Sequence, residues 1–426
     1  MALIVTKFGG TSVASPERIK SVAKRLVAKR QAGDDVVAVV SAMGKTTDEL
    51  VSLAKAMNGA PAKREMDMLL STGEQTSMAL LAMAIQALGY KAISFTGWQA
   101  GIITDSEFSL AKIENIDAHR IREAIADGYI VVVAGFQGLS DSGDITTLGR
   151  GGSDTTAVAL AYGIQADVCE IYSDVDGVYS ADPRVAPRAR KLDYISYDDM
   201  LEMSSAGSGV LQARAVEFAR KYKVVIHSRS AFSDAPGTLI KEAVPTMEQA
   251  VVSGIAHDTS EIRFTLRGLP DNPGVAAKLF ATLAAYKVSV DMIIQNSVAN
   301  GKANISFTFP GNQKQAAEEA VSQVKRDMTF DSVDVDEDIA KVSLVGTGMK
   351  SSPGIAARAF KSLADNEISI KMISTSPIRI SVVVEASQVT AAVRCLHTEF
   401  GLDSDTVFEE TQLSAEEIAA KMNKGR

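Results

Sequence analysis

The residues best suited to chemistry are two cations set among glycines: Lys7-Phe8-Gly9-Gly10 near the start, and Arg150-Gly151-Gly152-Ser153-Asp154 much later. Paired glycines let backbone N–H groups approach an anion closely, a following helix turns its unpaired N–H groups toward the same point, and the cation adds full charge. Both stretches hold the parts of a phosphate or carboxylate site. Neither is a P-loop, because Lys7 precedes its glycines and no G-x-x-x-x-G-K-[ST] occurs. A plainer alternative stays open for each: strand-to-helix punctuation at Gly9-Gly10, and a helix start in which Ser153 or Asp154 serves only as the cap. Glu74, in Ser71-Thr72-Gly73-Glu74-Gln75, precedes an apolar helical stretch at 78–88. It is either a ligand group or a first-turn acid complementing the helix dipole.

Such residues need a rigid frame. Strand-like runs at 3–7, 36–41, 92–95, 130–136, 168–173 and 224–227 alternate with helical patterns, which predicts a mainly parallel sheet covered by helices. Open sheets of this kind bind ligands beyond the carboxyl ends of their strands. Here those ends carry Lys7 to Gly10, Ser41 to Thr47, Gly135 to Gly138, and Ser173 to Gly177, all small or polar clusters. Gly207-Ser208-Gly209 lacks the third glycine and the following acid of a dinucleotide fingerprint. His119, His227, His257 and His397 show neither metal spacing nor a paired Ser or Cys motif, and no role is assigned to them.

At 426 residues the chain exceeds one ordinary core. A net charge of -8 and the absence of basic runs argue against a nucleic-acid partner. Cys169 and Cys395 are too far apart to suggest a metal pair and fit reduced thiols. The longest apolar run, 78–85, is far short of the roughly 20 residues a membrane span needs, and no basic leader precedes Lys7, so a cytoplasmic protein is expected.

Pro236-Gly237 and Pro245 punctuate the point where the strand–helix rhythm stops, and the sequence then repeats itself. Pro273-Gly274-Val275-Ala276-Ala277 returns as Pro353-Gly354-Ile355-Ala356-Ala357, an offset of 80 residues that also relates Asp291-Met292-Ile293 to Lys371-Met372-Ile373. Each module reads as strand, loop, helix, strand, strand, with Asn272 or Ser352 as the helix cap and Pro273 or Pro353 at the first helical position. The helix start suits a small ligand's carboxylate; a purely structural or dimerising pair of modules stays open beside that reading.

In this order, Lys7 to Gly10, Thr47, Glu74, Arg150 to Asp154 and residues 173–184, followed by a doubled module, resemble the monofunctional aspartokinases over nearly the whole chain. The resemblance implies the α/β class: an amino-acid-kinase α/β/α sandwich with a mainly parallel sheet, then two α+β ACT domains. It places the catalytic domain at 1–242, a linker and first regulatory strand at 243–260, the ACT domains at 261–337 and 338–412, and a C-terminal helix or tail at 413–426. The implied reaction moves the γ-phosphoryl group of ATP, with Mg²⁺, to the side-chain carboxylate of L-aspartate, the first step toward lysine, threonine and methionine.

By the same resemblance Lys7 and Asp154 are catalytic, Lys7 meeting the phosphoryl group and Asp154 orienting the lysine. Ser41, Thr47, Glu74, Arg150, Gly151, Gly152 and Ser153 hold aspartate, Glu74 at its ammonium group and Arg150 at a carboxylate. Lys7, Phe8, Gly9, Gly10, Ser173, Asp174, Tyr179 and Arg184 bind ATP, with backbone donors expected from Gly9 and Gly10. No metal ligand is assigned. Many relatives have lysine where this chain has Gly209, so Arg184 or another cation substitutes, or ATP binds less tightly.

The ACT resemblance implies feedback by lysine, threonine or both. The implied positions are Asp271, Asn272, Gly274, Val275, Ala276, Gln295 and Asn296 on the first module, and Ser352, Pro353, Ile355, Thr375 and Ser376 on the second. It implies a homo-oligomer through the ACT domains, or a hetero-oligomer with a shorter regulatory subunit begun at Met247, and a second module completed by residues 251–256. Two rivals remain at this point: a kinase of the same fold acting on glutamate, acetylglutamate or a nucleoside monophosphate, and an amino-acid sensor with a degenerate kinase domain. The doubled module and the Gly73-Glu74 setting favour aspartate, while Lys7, Arg150 and Asp154 favour an enzyme.

Overall fold

A computed structural model describes residues 1–243, 251–298 and 301–404; Met247 and the stretch at 413–426 lie outside them. Valine- and isoleucine-rich runs build the centre of the molecule. Strands Ile130–Ala134, Asp35–Val40, Leu3–Phe8 and Val168–Ser173 lie side by side and parallel, in that spatial order, within an eight-stranded sheet. Their near-continuous apolar sequence follows from helices covering both faces. Ala92–Phe95 closes one edge, and Ile226–Ser230, Thr238–Lys241 and Tyr194–Ser196 extend the other, with one antiparallel pairing.

The strand expected at 224–227 begins later, at Ile226. Lys223 holds a left-handed φ of 57° at the end of helix Ala213–Tyr222, which delays the extended conformation. A second sheet of four short strands, Ile102–Thr104, Ile113–Ile116, Gln137–Ser140 and Ile145–Thr147, was not expected at all.

Two helix starts also differ from expectation. The helix foreseen at 78–88 runs from Lys63 to Gln86, so Glu74 sits in its middle rather than near its start. Gly73 permits this passage, because a Cβ there would lie 2.9 Å from Ala42 Cβ. Helix Gly152–Ile164 is capped by Gly151 at φ 72°, not by Ser153 or Asp154, which leaves the Asp154 carboxylate available.

Each regulatory module carries a four-stranded antiparallel sheet and two helices, one helix more than the sequence suggested. The first comprises Glu261–Pro270, Val275–Ala285, Ile293–Val298, Lys302–Pro310, Lys314–Asp327 and Ser332–Asp336. The second comprises Ile339–Val345, Ile355–Asp365, Met372–Ser376, Arg379–Glu385 and Val389–Glu399. Its fourth strand is Gly254–Asp258, from upstream of the first module, paired with Ile339–Val345. The modules are therefore intertwined. Gly274 and Gly354, at φ 94° and 90°, cap the first helices in place of Asn272 and Ser352, and each proline precedes the cap. The left-handed turn needs glycine, which overrides the polar-cap signal.

The modules meet at a buried charge cluster. Lys341, 3% exposed, contacts the Glu261 carboxylate and lies 2.5 Å from Asp291 Oδ2. Asp291 and Lys371 are equivalent positions under the 80-residue repeat, so at that position the acid belongs to one copy and the base to the other. Lys371 in turn bonds Asp336 of the first module at 3.0 Å. Removing one partner of a buried ion pair strands the rest without charge balance, and Lys341→Ala is expected to destabilise the regulatory half by about 3 kcal/mol, read from its urea midpoint. The second module also docks on the large domain: Asp199 accepts from Thr347 N–H and Ser253 Oγ–H, both at 2.9 Å, and Glu202 pairs with Arg379 at 3.1 Å.

Candidate active site

Lys7 stands at the carboxyl end of Leu3–Phe8, in register with Val39 on one neighbour and Ile171 on the other. Its Nζ lies 2.5 Å from Asp154 Oδ1, with both side chains about nine-tenths buried (12% and 10% exposed). Asp154 reaches it from the first turn of helix Gly152–Ile164. The contact joins two charges without the alignment of a hydrogen bond. Of the glycines after Lys7, Gly10 acts by clearance, since a Cβ there would lie 2.9 Å from Ala42 O, whereas one on Gly9 would make ordinary contact 3.6 Å from Lys7 Nζ.

Two details correct the sequence reading here. Gly9 N–H already donates to Tyr172 O at 3.3 Å, so it is not a spare donor. Phe8 is fully buried and stacked on Tyr172, with ring centroids 4.8 Å apart, so only its backbone is at hand for a ligand.

On the other side of Lys7, the loop after Asp35–Val40 packs against the middle of helix Lys63–Gln86. Ala42 N–H donates to Glu74 Oε1 at 3.1 Å, and Ser77 Oγ–H donates to Ser41 O at 2.7 Å. Glu74 is 4% exposed, and its buried Oε2 has no hydrogen-bond partner among the described residues. Burial pushes its pKa up to about 7, against hydrogen bonds from the Ala42 and Glu74 backbone that act to lower it. An orphaned buried carboxylate oxygen calls for a cationic ligand group. Thr47, on the first turn of helix Thr46–Met57, is part-exposed on the same loop.

Ser153 packs on Gly135 at the end of Ile130–Ala134, where a Cβ would come within 2.9 Å of it. Arg150 is exposed on the turn before Gly151. Gly151 is crowded by Gln212, and Gly152 by Phe136 and Leu148, so neither position has room for a side chain. The structure thus gathers Lys7, Ser41, Glu74, Ser153 and Asp154 at adjoining strand ends and sets Arg150 at the rim.

Sequence reasoning missed the group that holds this rim. Asp67, fully buried, accepts from Thr147 N–H, Thr147 Oγ–H and Ser109 N–H at 2.8 Å and from Ser109 Oγ–H at 3.0 Å, tying down the foot of the Arg150 turn. Its signal was present: 67, 71, 74, 78, 81 and 85 form one buried helical face, and an acid on such a face needs a partner. Arg214 adds donors to Leu148 O and Ala111 O at 2.6 and 2.7 Å.

The expected nucleotide residues converge separately. Ser173, Asp174, Tyr179 and Arg184 line a cavity of about 680 Å³ with Gly207, Ser208, Gly209 and His257. Tyr179 Oη–H donates to Asp176 at 2.8 Å, and Arg184 grips Asp182 through Nε and Nη2 at 3.0 and 2.8 Å. Gly209 has a left-handed φ of 67° and little around it, a backbone conformation that favours glycine.

Of the effector positions, Asp271, Asn272, Gly274, Val275 and Ala276 surround the start of helix Val275–Ala285, with Gln295 and Asn296 on the exposed strand Ile293–Val298. Ser352, Pro353 and Ile355 repeat this around helix Ile355–Asp365, with Thr375 and Ser376 on strand Met372–Ser376. Among the described residues no cluster of His, Cys, Asp or Glu is arranged to hold a metal ion by itself, and no helix is long and apolar enough to cross a membrane.

Comparison with known proteins agrees with this geometry. Residues 2–228 match the amino acid kinase family, and residues 266–324 and 342–400 each match an ACT domain. The aspartokinase of Mycolicibacterium smegmatis is 53% identical over 411 residues, covering 95% of this chain and 97% of that protein. Among solved structures, aspartate kinase from Synechocystis is 42% identical with a TM-score of 0.54, covering 97% of this chain and 71% of that one. Aspartokinase III of E. coli, solved with aspartate and ADP, shares the fold at a TM-score of 0.79 and 24% identity, covering 93% of this chain and 99% of that one. With more than half its residues shared along almost its full length with one such enzyme, and with the paired modules in place, the chain belongs to the amino acid kinase family and, within it, to the aspartokinases.

Proposed function

We propose that this protein phosphorylates the side-chain carboxylate of L-aspartate with ATP, giving 4-phospho-L-aspartate, and that lysine, threonine or both restrain it through the ACT domains. One observation carries the reading: Lys7, paired with Asp154, stands on the strand between the one leading to the nucleotide cavity and the one packed on Glu74. A lysine in that place faces a phosphoryl donor on one side and an acceptor on the other.

The acceptor carboxylate, with an ordinary pKa of about 3.9, is ionised at neutral pH and needs no general base. The work left to the protein is positioning and charge neutralisation. Glu74 holds the substrate ammonium group through its partnerless oxygen, Arg150 takes a carboxylate from the rim, and Ser41, Thr47, Gly151, Gly152 and Ser153 shape the space between. Lys7 Nζ neutralises charge on the transferring phosphoryl group, and Asp154 holds Nζ in place.

Ser173, Asp174, Tyr179 and Arg184 seat the nucleotide, with Arg184 as the cavity cation standing in for the lysine absent at Gly209. Mg²⁺ fits the cavity as a companion of the phosphates, since it is commonly held by one or two carboxylates plus phosphate oxygens, and Asp174 lines the wall. When bound it neutralises phosphate charge. The strands Ile293–Val298 and Met372–Ser376 end their sheets with exposed Ile293, Val298 and Ile373, which supports assembly through the ACT domains. The partner is a second copy or a shorter regulatory subunit, in a cytoplasmic setting.

Trapping the acyl phosphate with hydroxylamine tests the reading. Aspartate with ATP and Mg²⁺ is expected to yield hydroxamate, suppressed by lysine or threonine; a product from glutamate or acetylglutamate instead, or none from any acid, overturns it.

A further inference from the structure

The nucleotide segment has an outer side that belongs to no catalytic element. Residues 181–184 line the cavity, and the stretch 180–190 that contains them lies on the last helix of the second module, Val389–Glu399, where Ala181, Ala186 and Ala189 join that module's own core. The polar centre of this contact is a buried three-membered chain. Ser180 Oγ lies 2.8 Å from His397 Nε2, and His397 Nδ1 lies 2.8 Å from Asp403 Oδ1. Ser180 is fully buried and His397 is 1% exposed.

The donors and acceptors fix the order of protons. Arg190 N–H donates to Ser180 Oγ at 2.8 Å, which leaves the serine proton to go to His397 Nε2. Asp403 accepts from His397 Nδ1–H and, at 2.9 Å, from Thr398 Oγ–H. The backbone of Ser180 is held as well, its carbonyl accepting from Ile255 N–H at 2.6 Å and its N–H donating to Arg190 O at 2.9 Å. Arrangements of Ser, His and Asp are familiar in hydrolysis, but this one is sealed and offers no space for a substrate. What it does is join two domains at the residue next to Tyr179.

We infer that His397, a residue of the second ACT module, is a positioning residue of the nucleotide site: its bond to Ser180 fixes the segment that presents Tyr179 and Arg184 to the cavity. The inference rests on the assignment of that cavity to ATP. It makes nucleotide affinity depend on the seating of the second module, and it leaves aspartate affinity out, because Glu74 and Arg150 are held from other elements.

Two near-isosteric substitutions separate this role from simple packing. His397→Gln places an acceptor where Nε2 was and keeps the bond to Ser180 while losing Asp403; His397→Asn places a donor where Nδ1 was and does the reverse. In the full-length protein, KM for ATP is expected to rise about tenfold in His397→Asn, as fits loss of a bond that leaves a buried partner unpaired, and less than about threefold in His397→Gln. KM for aspartate should stay within about twofold of the parent in both, since no contact to its site is touched. Ser180→Ala should match His397→Asn and carries the test if an His397 variant does not fold. Equal ATP KM values in the Gln and Asn variants, or ATP and aspartate KM values rising together, overturn the inference. Absence of turnover in the parent protein would instead overturn the aspartokinase reaction, and direct titration with Mg-ATP then decides the positioning role.

Discussion

Lys7→Ala is expected to lower kcat for acyl phosphate formation by at least about 10³-fold while the protein stays folded. The size follows from the reaction. With an ionised nucleophile and no general base, the barrier is mostly the gathering of negative charge from donor, acceptor and the group in flight, and Lys7 is the cation we propose at their meeting point. Its side chain is 12% exposed, so its charge acts in a medium that screens it poorly. Lys7→Arg is expected to rescue poorly, because a planar guanidinium does not place its charge at the point where Nζ sits beside Asp154. Asp154→Ala leaves Lys7 in the site but unguided, and a loss of about 10²-fold is expected, smaller because the charge remains. The hydroxamate assay with far-UV circular dichroism on the same samples reads both, and parent-like turnover in Lys7→Ala would sink the assignment. The pair acts as a unit, so the double variant should be little worse than Lys7→Ala alone.

Glu74→Gln carries the second large effect, a fall of about 10³-fold in kcat/KM for aspartate, because the buried oxygen that would meet the ammonium group loses its charge. A stability change of opposite sign should accompany it. The Glu74 pKa is pushed up to about 7, above the ordinary value of 4.5, so the folded protein binds the extra proton between these limits. Its contribution to stability is complete below pH 4.5 and is lost as pH rises through about 7. Above that, the unliganded protein holds an uncompensated buried carboxylate. Glutamine removes the cost, and the ligand-free variant should melt higher than the parent at pH 8, while aspartate no longer raises its melting temperature.

The same carboxylate sets a pH dependence in the parent. By the proposed contact aspartate binds the ionised form, so its KM should be about tenfold higher at pH 6 than at pH 8, as expected for a group titrating near 7. A Glu74→Gln variant that binds aspartate normally, or an aspartate KM flat across that range, rules out the contact.

The main strands and the small or polar clusters at their ends could be read from the chain because each depends on neighbours in sequence: an apolar run, then glycines, then a helix. Glu74 was harder. Ser71-Thr72-Gly73 has the composition of a break, yet the helix passes through it, since Gly73 is there to let Ala42 approach. Asp154 likewise looked like a cap until Gly151 took that position with its left-handed turn. Phe8 and Gly9 lie in the right stretch but face Tyr172, and which atoms of a glycine turn stay free depends on a strand 160 residues away. The Ser180–His397 contact, whose members stand 217 positions apart, has no local signature at all. Polar partners chosen by tertiary packing stay hidden until the elements are placed, whereas periodicity and turn chemistry do not.

The opposed charges at repeat-equivalent positions bear on how this gene can change. Two copies of one module are natural partners for gene conversion, which would overwrite one copy with the other. A chain carrying two first-type modules would set an acid against Asp336 in place of Lys371, and one carrying two second-type modules would set a lysine against Lys341 in place of Asp291. Such recombinants would misassemble at once, so the charge difference preserves two distinct copies that sequence similarity alone would leave open to loss.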